Sequence, residues 1–415
     1  MRGRRALIRQ VVLSASSFFF LKQENMATLE SITELGNLCQ CALKCTKDSR
    51  WKESTQRYLA DMLERNVELQ ERVLSGTYHV SPTINFWLNE RGKMRYIKSP
   101  VVPDRIIQKS LMEHVLTPKI VPTLIYDNYA SLKNRGTSFA RKRFEVMLHR
   151  YIRKYGTDGY LLLGDISKYF DSVVHQILKQ MLAPYLKDEP QEVVDLIHYM
   201  IDTSSDGDCG LNLGSECPQL FAVMYLNRLD TFIKLAKAVK YYGRYMDDFA
   251  LIDRSKQRLS SLLAEIETCL DELGLKLNRK KTRIVKMTRS FVFLQVKYTI
   301  TRSGHIITRP ARSKLVRERR RLKAYRRLVD RGMMTGQAVQ ESYLSWRGSL
   351  IHDHNCWRKS VESMDATYKD LFPHFIPSIK LKRSRLMREV NHEAKTIDLR
   401  YCENINSQTS ISIYP

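Results

Sequence analysis

Apolar and polar positions alternate along this chain in two distinct rhythms, one of short strands and one of amphipathic helices. Gly159-Tyr160-Leu161-Leu162-Leu163-Gly164 is an apolar run of the length of a buried strand, and it ends at Asp165. After Ile166-Ser167-Lys168-Tyr169-Phe170-Asp171-Ser172 the pattern Val173, Ile177, Leu178, Met181, Leu182 is helical. Two further β-prone runs, Val239 to Arg244 and Phe249 to Asp253, flank Tyr245-Met246-Asp247-Asp248 and predict a tight hairpin with the acidic pair at its tip. Residues 256 to 273 predict an amphipathic helix through Leu259, Leu262, Leu263, Ile266 and Leu270, with Gly274 placed to end it and the face of the sheet as its partner. Residues 28 to 75 read as mainly helical, with Leu59, Leu63, Val67 and Val73 among charged positions. The expected class is α+β: an antiparallel sheet covered by helices, with a helical C-terminal part.

Candidate chemistry sits where these elements meet. Asp247 and Asp248 are adjacent at a turn, where like charges repel unless a cation lies between them. The structural alternative is that turns use Asp for local hydrogen bonding. Asp165 at the end of its strand supplies a third carboxylate, fixed by a strand, short turn and helix. Three aspartates from two adjacent strands can hold two divalent ions about 4 Å apart, an arrangement used for in-line phosphoryl transfer. Hard oxygen ligands favour Mg2+, with Mn2+ as a substitute.

The ordered motifs resemble those of bacterial reverse transcriptases, the broad group of group II intron, retron and diversity-generating-element enzymes. The resemblance runs over roughly residues 80 to 355. It rests on Arg95 and Pro100 with Asp104-Arg105-Ile106-Ile107-Gln108; Asp165 to Phe170; Gly214 to Gln219; Tyr245 to Asp248; Leu277-Asn278-Arg279-Lys280-Lys281-Thr282; and Phe291-Val292-Phe293-Leu294.

That resemblance implies a right-hand polymerase with fingers, palm and helical thumb. It implies that Asp165, Asp247 and Asp248 are catalytic metal ligands, and that Phe170 packs under the incoming sugar and excludes a 2′-hydroxyl, so that dNTPs are the substrate. Ile166 and Phe170 join Arg95 and Gln219 as nucleotide-binding residues. Arg95 is the fingers arginine whose guanidinium fork suits a triphosphate, and Gln219 lies against the sugar. Many bacterial relatives have Ser before that glutamine, whereas this chain has Pro218. Lys281 matches the lysine proposed to protonate the leaving pyrophosphate.

Charge points to the same partner class. Lys and Arg number 69 against 44 Asp and Glu, a formal charge of +25 that suits a polyanion. Between Arg309 and Arg331 there are eleven basic and two acidic residues, while Leu315, Leu322, Tyr325 and Val329 recur at helical spacing. This is the position of the thumb, and Arg312, Arg317, Arg320, Arg321, Lys323 and Arg327 are its candidate contacts to a nucleic-acid backbone. The expected organisation is a tail at 1–25, a helical extension at 26–80, fingers and palm at 81–305, and a basic helical thumb with C-terminal tail at 306–415.

The first 25 residues carry Arg2, Arg4 and Arg5 before an apolar run from Val11 to Leu21 that is too short to span a membrane. They are read as an over-extended start or a disordered tail, and the location as the cytoplasm. The 8 cysteines read as reduced thiols, since neither Cys39, Cys41, Cys45 nor His352, His354, Cys356 has paired zinc spacing. The expected activity is RNA-directed DNA synthesis on an RNA template, from a DNA or RNA primer and dNTPs, with a dedicated non-coding RNA or accessory protein as a further partner. The alternatives are a template-independent phage-defence polymerase of the same fold and a non-catalytic, maturase-like RNA-binding protein.

Overall fold

The structure, a computed structural model, describes residues 27–90, 93–212, 214–353 and 358–374. The tail at 1–25, the His354 and Cys356 positions and the C-terminal stretch from 375 lie outside them. The chain divides into two compact units, the first running to Arg317 and the second beginning at Glu318.

The first unit is organised by strands. Ile84–Glu90 (β1) and Lys93–Ser99 (β2) form a two-stranded antiparallel ribbon in which Leu88 faces Arg95. Tyr160–Asp165 (β3), Tyr241–Tyr245 (β4), Asp248–Asp253 (β5) and Arg283–Lys286 (β6) form a four-stranded sheet in the order β4-β5-β3-β6, antiparallel throughout. Phe291–Phe293 (β7), Val296–Ile300 (β8) and Ile306–Pro310 (β9) make a three-stranded antiparallel meander.

The apolar run of β3 is buried as its composition requires, and Leu161, Leu162, Phe249, Leu251 and Ile252 are inaccessible or nearly so. Each such side chain contributes about 1.5–3 kcal/mol relative to exposure. Lys256–Asp271 (the sheet helix) packs on β3, β5 and β6. Ser255 caps it by accepting from the Arg258 N–H at 3.1 Å, and Gly274 terminates it at φ +67°. A second helix, Thr137–Tyr155, packs on β4. Glu216–Tyr225 (the core helix) buries every residue except Glu216 and Gln219, the composition of a helix surrounded by protein. Pro218 is its third residue, within the first turn, where its missing N–H has no intrahelical partner to lose. After Asp165 the expected short turn contains a 3-10 turn at Phe170–Ser172, and the expected helix is His175–Leu186, beginning two residues after Val173.

Residues 28 to 75 are helical, chiefly Leu35–Thr46, Glu53–Ala60 and Met62–Leu74. The Cys39, Cys41, Cys45 group serves packing and local hydrogen bonds. Cys41 is buried and its thiol is pushed up to about 12 by burial, Cys45 donates to the Arg105 carbonyl, and Cys39 accepts from Asn66. Among the described residues no helix is long and apolar enough to cross a membrane.

In the second unit, Tyr343 on Gly336–Asp353 stacks on Tyr368 of Arg358–Leu371 with ring centroids 4.4 Å apart. Arg347 forks onto Asp365 at 2.8 and 2.9 Å. The basic helix spans Arg312–Asp330, with Leu322 buried and Leu315, Tyr325 and Val329 only partly so. Arg312, Arg320, Lys323 and Arg327 are exposed, whereas Arg317 and Arg321 are half-buried and Arg321 donates to the buried Glu318 at 2.7 Å.

Gly164 fixes how closely β3 and β5 pack, because a Cβ there would lie 2.1 Å from the tip of the Phe249 ring. Phe249 is fully buried and has nowhere to move. Gly164→Ala is therefore expected to lower unfolding free energy by about 1–3 kcal/mol or more, read by urea titration. A variant as stable as the parent would contradict this packing.

Candidate active site

The strand pairing brings the three sequence-predicted carboxylates to one edge of the sheet. Asp165 ends β3 and Asp248 begins β5, and the two are direct cross-strand partners. Their side chains therefore project from the same face, where like charges destabilise the pairing. Asp247 belongs to the two-residue connection Met246-Asp247 between Tyr245 and Asp248, which are themselves paired.

Asp165 is 5% exposed and braced from several sides. Its N–H donates to the Thr282 hydroxyl at 3.3 Å, and its carbonyl accepts from the Asn278 N–H at 2.7 Å. One residue pair away, the Ser167 N–H donates to the Lys276 carbonyl at 2.8 Å, and Ile166 bridges Leu277. The segment Leu277 to Thr282 thus wraps the end of β3. It also delivers Lys281, whose ammonium forms an ion pair with Asp165.

Burial first, and the neighbouring carboxylates after it, raise the pKa values of Asp247 and Asp248. Asp248 is pushed up to about 7, first by burial, then by the charges of Asp247 and Asp165 and a hydrogen bond shared with the Asp165 side chain, against the pull of Lys281. Asp247 is raised from its ordinary value chiefly by burial, with the Asp165 charge adding. A backbone hydrogen bond, Lys281 and Arg95 act in the opposite direction. The charge of Arg95, on β2, is therefore felt at Asp247. Burial lowers the Lys281 pKa, but its hydrogen bond and charge interaction with Asp165 outweigh that and raise it.

The remaining predicted residues are placed as follows. Ile166 is buried; Phe170 is partly exposed, edge-on to Tyr169 at 5.6 Å between centroids. Gln219, the half-exposed residue of the buried core helix, accepts from the Ser131 hydroxyl at 2.8 Å. At the base of the ribbon, Gly214 lies so close that a Cβ would stand 2.7 Å from the Lys98 carbonyl oxygen.

Sequence reading missed what lies beneath the hairpin. Arg244 and Asp230 are both fully buried and form an ion pair, with Nε donating to Oδ1 at 2.8 Å and Nη2 to Oδ2 at 2.6 Å. Tyr242 donates to Oδ1 at 2.5 Å. The Arg244 Nη1 donates to the carbonyl of Met246 at 3.0 Å, and Nη2 to that of Val223 at 3.0 Å. Met246 stands at φ +52°, a left-handed conformation that costs a non-glycine residue on the order of 1–3 kcal/mol. The only available signal was an arginine inside a β-prone run, and nothing in its spacing names Asp230.

The donor set fits a divalent cation of oxygen preference: carboxylates on facing strands, at an edge where burial and neighbouring negative charge disfavour the charged forms of Asp247 and Asp248. Among the described residues no three His, Cys, Asp or Glu side chains are drawn together as a closed metal-ligating group. The cation paired with Asp165 is Lys281, which meets one of its two carboxylate oxygens.

The family model described as "Reverse transcriptase (RNA-dependent DNA polymerase)" matches residues 87–298, half of the chain. A curated relative, Protein YkfC of Escherichia coli (strain K12), is 23% identical over 265 residues, covering 54% of this chain and 69% of that protein. Among solved structures, apo telomerase from Candida tropicalis truncated from its C-terminal domain matches at TM-score 0.42 and 14% identity, covering 58% of this chain and 59% of that one. Telomerase from Candida albicans in complex with a TWJ fragment of telomeric RNA matches at TM-score 0.43 and 13% identity, covering 71% and 56%. The matches span less than two thirds of those two telomerase chains, and likenesses at these scores carry no argument about activity.

The folded metal-free protein keeps Asp248 protonated to about pH 7, whereas the unfolded chain ionises it at the ordinary 3.8. The folded state holds the extra proton between those values, so its stability falls as pH rises from about 4 to about 7. Asp248→Asn is expected to flatten that fall and to raise the metal-free melting temperature at pH 8 by a few degrees, as followed by circular dichroism with chelator. A parent melting temperature that does not fall across this range, or a variant no more stable, would contradict the crowding.

Proposed function

We propose, for a chain that belongs to the reverse transcriptase (RNA-dependent DNA polymerase) family, that Asp165, Asp247 and Asp248 hold two Mg2+ ions and that the protein copies RNA into DNA at this sheet edge. The observation that carries the reading is the cross-strand pairing of Asp165 with Asp248 beside Asp247, within reach of the charges of Lys281 and Arg95. When bound, the divalent ions supply charge that activates the primer 3′-hydroxyl and neutralises the triphosphate. Mn2+ meets the same ligand requirements.

The chain's own residues supply the rest. Arg95 grips the triphosphate with its planar fork. Gln219, held by Ser131, lies against the nucleotide with Ile166 beside it, and Phe170 packs under the sugar where a 2′-hydroxyl would otherwise fit. The primer 3′-hydroxyl gives up its proton to solvent and its oxygen bonds to the α-phosphorus as the bond from that phosphorus to the oxygen it shares with the β-phosphate breaks, releasing pyrophosphate. Lys281, released from Asp165, gives its proton to the departing pyrophosphate; its raised pKa keeps that proton in place until needed.

The proposed partition is fingers and palm over 81–305, preceded by a helical extension at 26–80, with a thumb at 306–415. There Arg312, Arg317, Arg320, Lys323 and Arg327 follow the duplex phosphates, and Arg321 does so from its pairing with Glu318. The substrates are an RNA template, a DNA or RNA primer and dNTPs, a reaction suited to the cytoplasm, and a dedicated non-coding RNA or accessory protein could select the template.

Primer extension on a defined RNA template with Mg2+ tests the reading. Incorporation is expected to follow the template, to use dNTPs, and to fall on the order of a thousandfold or more in Asp247→Asn, the loss of several kcal/mol of transition-state stabilisation. Phe170→Ala is expected to admit rNTPs at least about tenfold better by opening the space beneath the sugar. Extension that ignores template sequence, or that survives Asp247→Asn, would contradict the proposal.

A further inference from the structure

We propose that Arg244 is a positioning residue for the acidic hairpin: through its hydrogen bond to the Met246 carbonyl it sets the turn that aims Asp247 and Asp248, and Asp230 holds it there. The inference rests on the proposed two-metal role of those aspartates and adds residues that touch neither nucleotide nor metal.

Arg244 and Asp230 are fully buried, and each side-chain nitrogen of Arg244 and each carboxylate oxygen of Asp230 has a hydrogen-bond partner. Asp230 accepts four hydrogen bonds: two from Arg244, one from Tyr242 and one from Asn128 at 3.4 Å. A pair whose only role was stability would be a weak choice, because desolvating two charges offsets most of their attraction. What this pair adds is direction. With Asp230 fixing Nε and one edge of Nη2, the planar guanidinium can point Nη1 only along the strand, at the Met246 carbonyl 3.0 Å away. Nη2 also reaches the Val223 carbonyl of the core helix, the helix that carries Gln219. One guanidinium therefore ties the hairpin tip to the element presenting the nucleotide-side glutamine.

The backbone around Arg244 is held equally firmly. Its N–H donates to the Asp127 carbonyl and its carbonyl accepts from the Tyr129 N–H, both at 2.9 Å, so the arginine cannot slide along the strand. Gly243 allows this approach, since a Cβ there would lie 2.2 Å from the Tyr129 hydroxyl oxygen. The held carbonyl belongs to a non-glycine residue at φ +52°, which would relax without a restraint.

The test compares the parent with Arg244→Lys and with the double variant Asp230→Leu/Arg244→Met, which replaces the ion pair by apolar groups of similar length. Three quantities are read on each: melting temperature in chelator, Mn2+ affinity of the free protein by electron paramagnetic resonance, and single-turnover nucleotide addition at saturating metal. The double variant is expected to fold but to bind Mn2+ at least tenfold more weakly and to add nucleotide at least a hundredfold more slowly. Arg244→Lys, which keeps the charge but loses the fork, should fall between it and the parent. A folded double variant with parental Mn2+ affinity overturns the inference, because a purely structural pair would change only the melting temperature. If the double variant does not fold, Arg244→Lys decides: a weakened Mn2+ site supports the inference and a parental one overturns it. A parent that binds no Mn2+ overturns the metal reading and this inference together.

Discussion

Three carboxylates crowded at one edge of a buried sheet repel one another, and much of the surrounding structure holds them there. Asp165 and Asp248 face each other across two strands, and Asp248 is driven to about 7 first by burial and then by the charges of Asp247 and Asp165. Like charges directly opposite each other destabilise the strand pairing. The Asn278 and Thr282 contacts grip the Asp165 backbone, and Lys281 supplies countercharge. The close seating of Phe249 on Gly164 keeps β3 and β5 from parting just behind the acids. A divalent cation bound between these carboxylates would offset their mutual repulsion.

The fold meets a related problem twice with the same device. The hairpin between β4 and β5 turns through Met246 at φ +52°; the hairpin between β7 and β8 turns through Leu294 and Gln295 at φ +45° and +65°. Glycine or asparagine would make such turns readily, and none of these three is either. In each hairpin a buried arginine donates to the carbonyl of a left-handed residue: Arg244 to Met246 at 3.0 Å, and Arg141 to Leu294 at 3.2 and 3.0 Å. The turns therefore have their geometry imposed from the core and not from local preference, so distant substitutions in that core will reach the tips.

The parts legible in the sequence were those governed by local pattern. The apolar run ending at Asp165 is β3, the acidic pair does sit at a hairpin, and Gly274 ends the sheet helix, because periodicity and left-handed glycine are local signals. The turn after Asp165 and the helix that follows it were legible as well, the helix starting at His175, two residues after the first apolar position of its pattern, Val173. The pairing of Arg244 with Asp230 was not legible: fourteen residues and a change of element separate them, and buried ion pairs have no periodicity. Thr282 and Ser131 were also invisible as supports, because a hydroxyl that braces a neighbour looks in sequence like any surface hydroxyl. Pro218 looked like a departure from the family pattern and proves to occupy a helical first turn, where proline is tolerated.

The most direct measurement is anomalous diffraction from crystals of the protein with an RNA template, a 3′-deoxy-terminated DNA primer, the matching dNTP and Mn2+. Two Mn2+ peaks bridged by Asp165 and Asp247, with Asp248 alongside and Lys281 displaced from Asp165 toward the triphosphate, are the expected result. No Mn2+ at this edge in a complex that holds the primer terminus and dNTP elsewhere would contradict the assignment of these carboxylates as the catalytic centre.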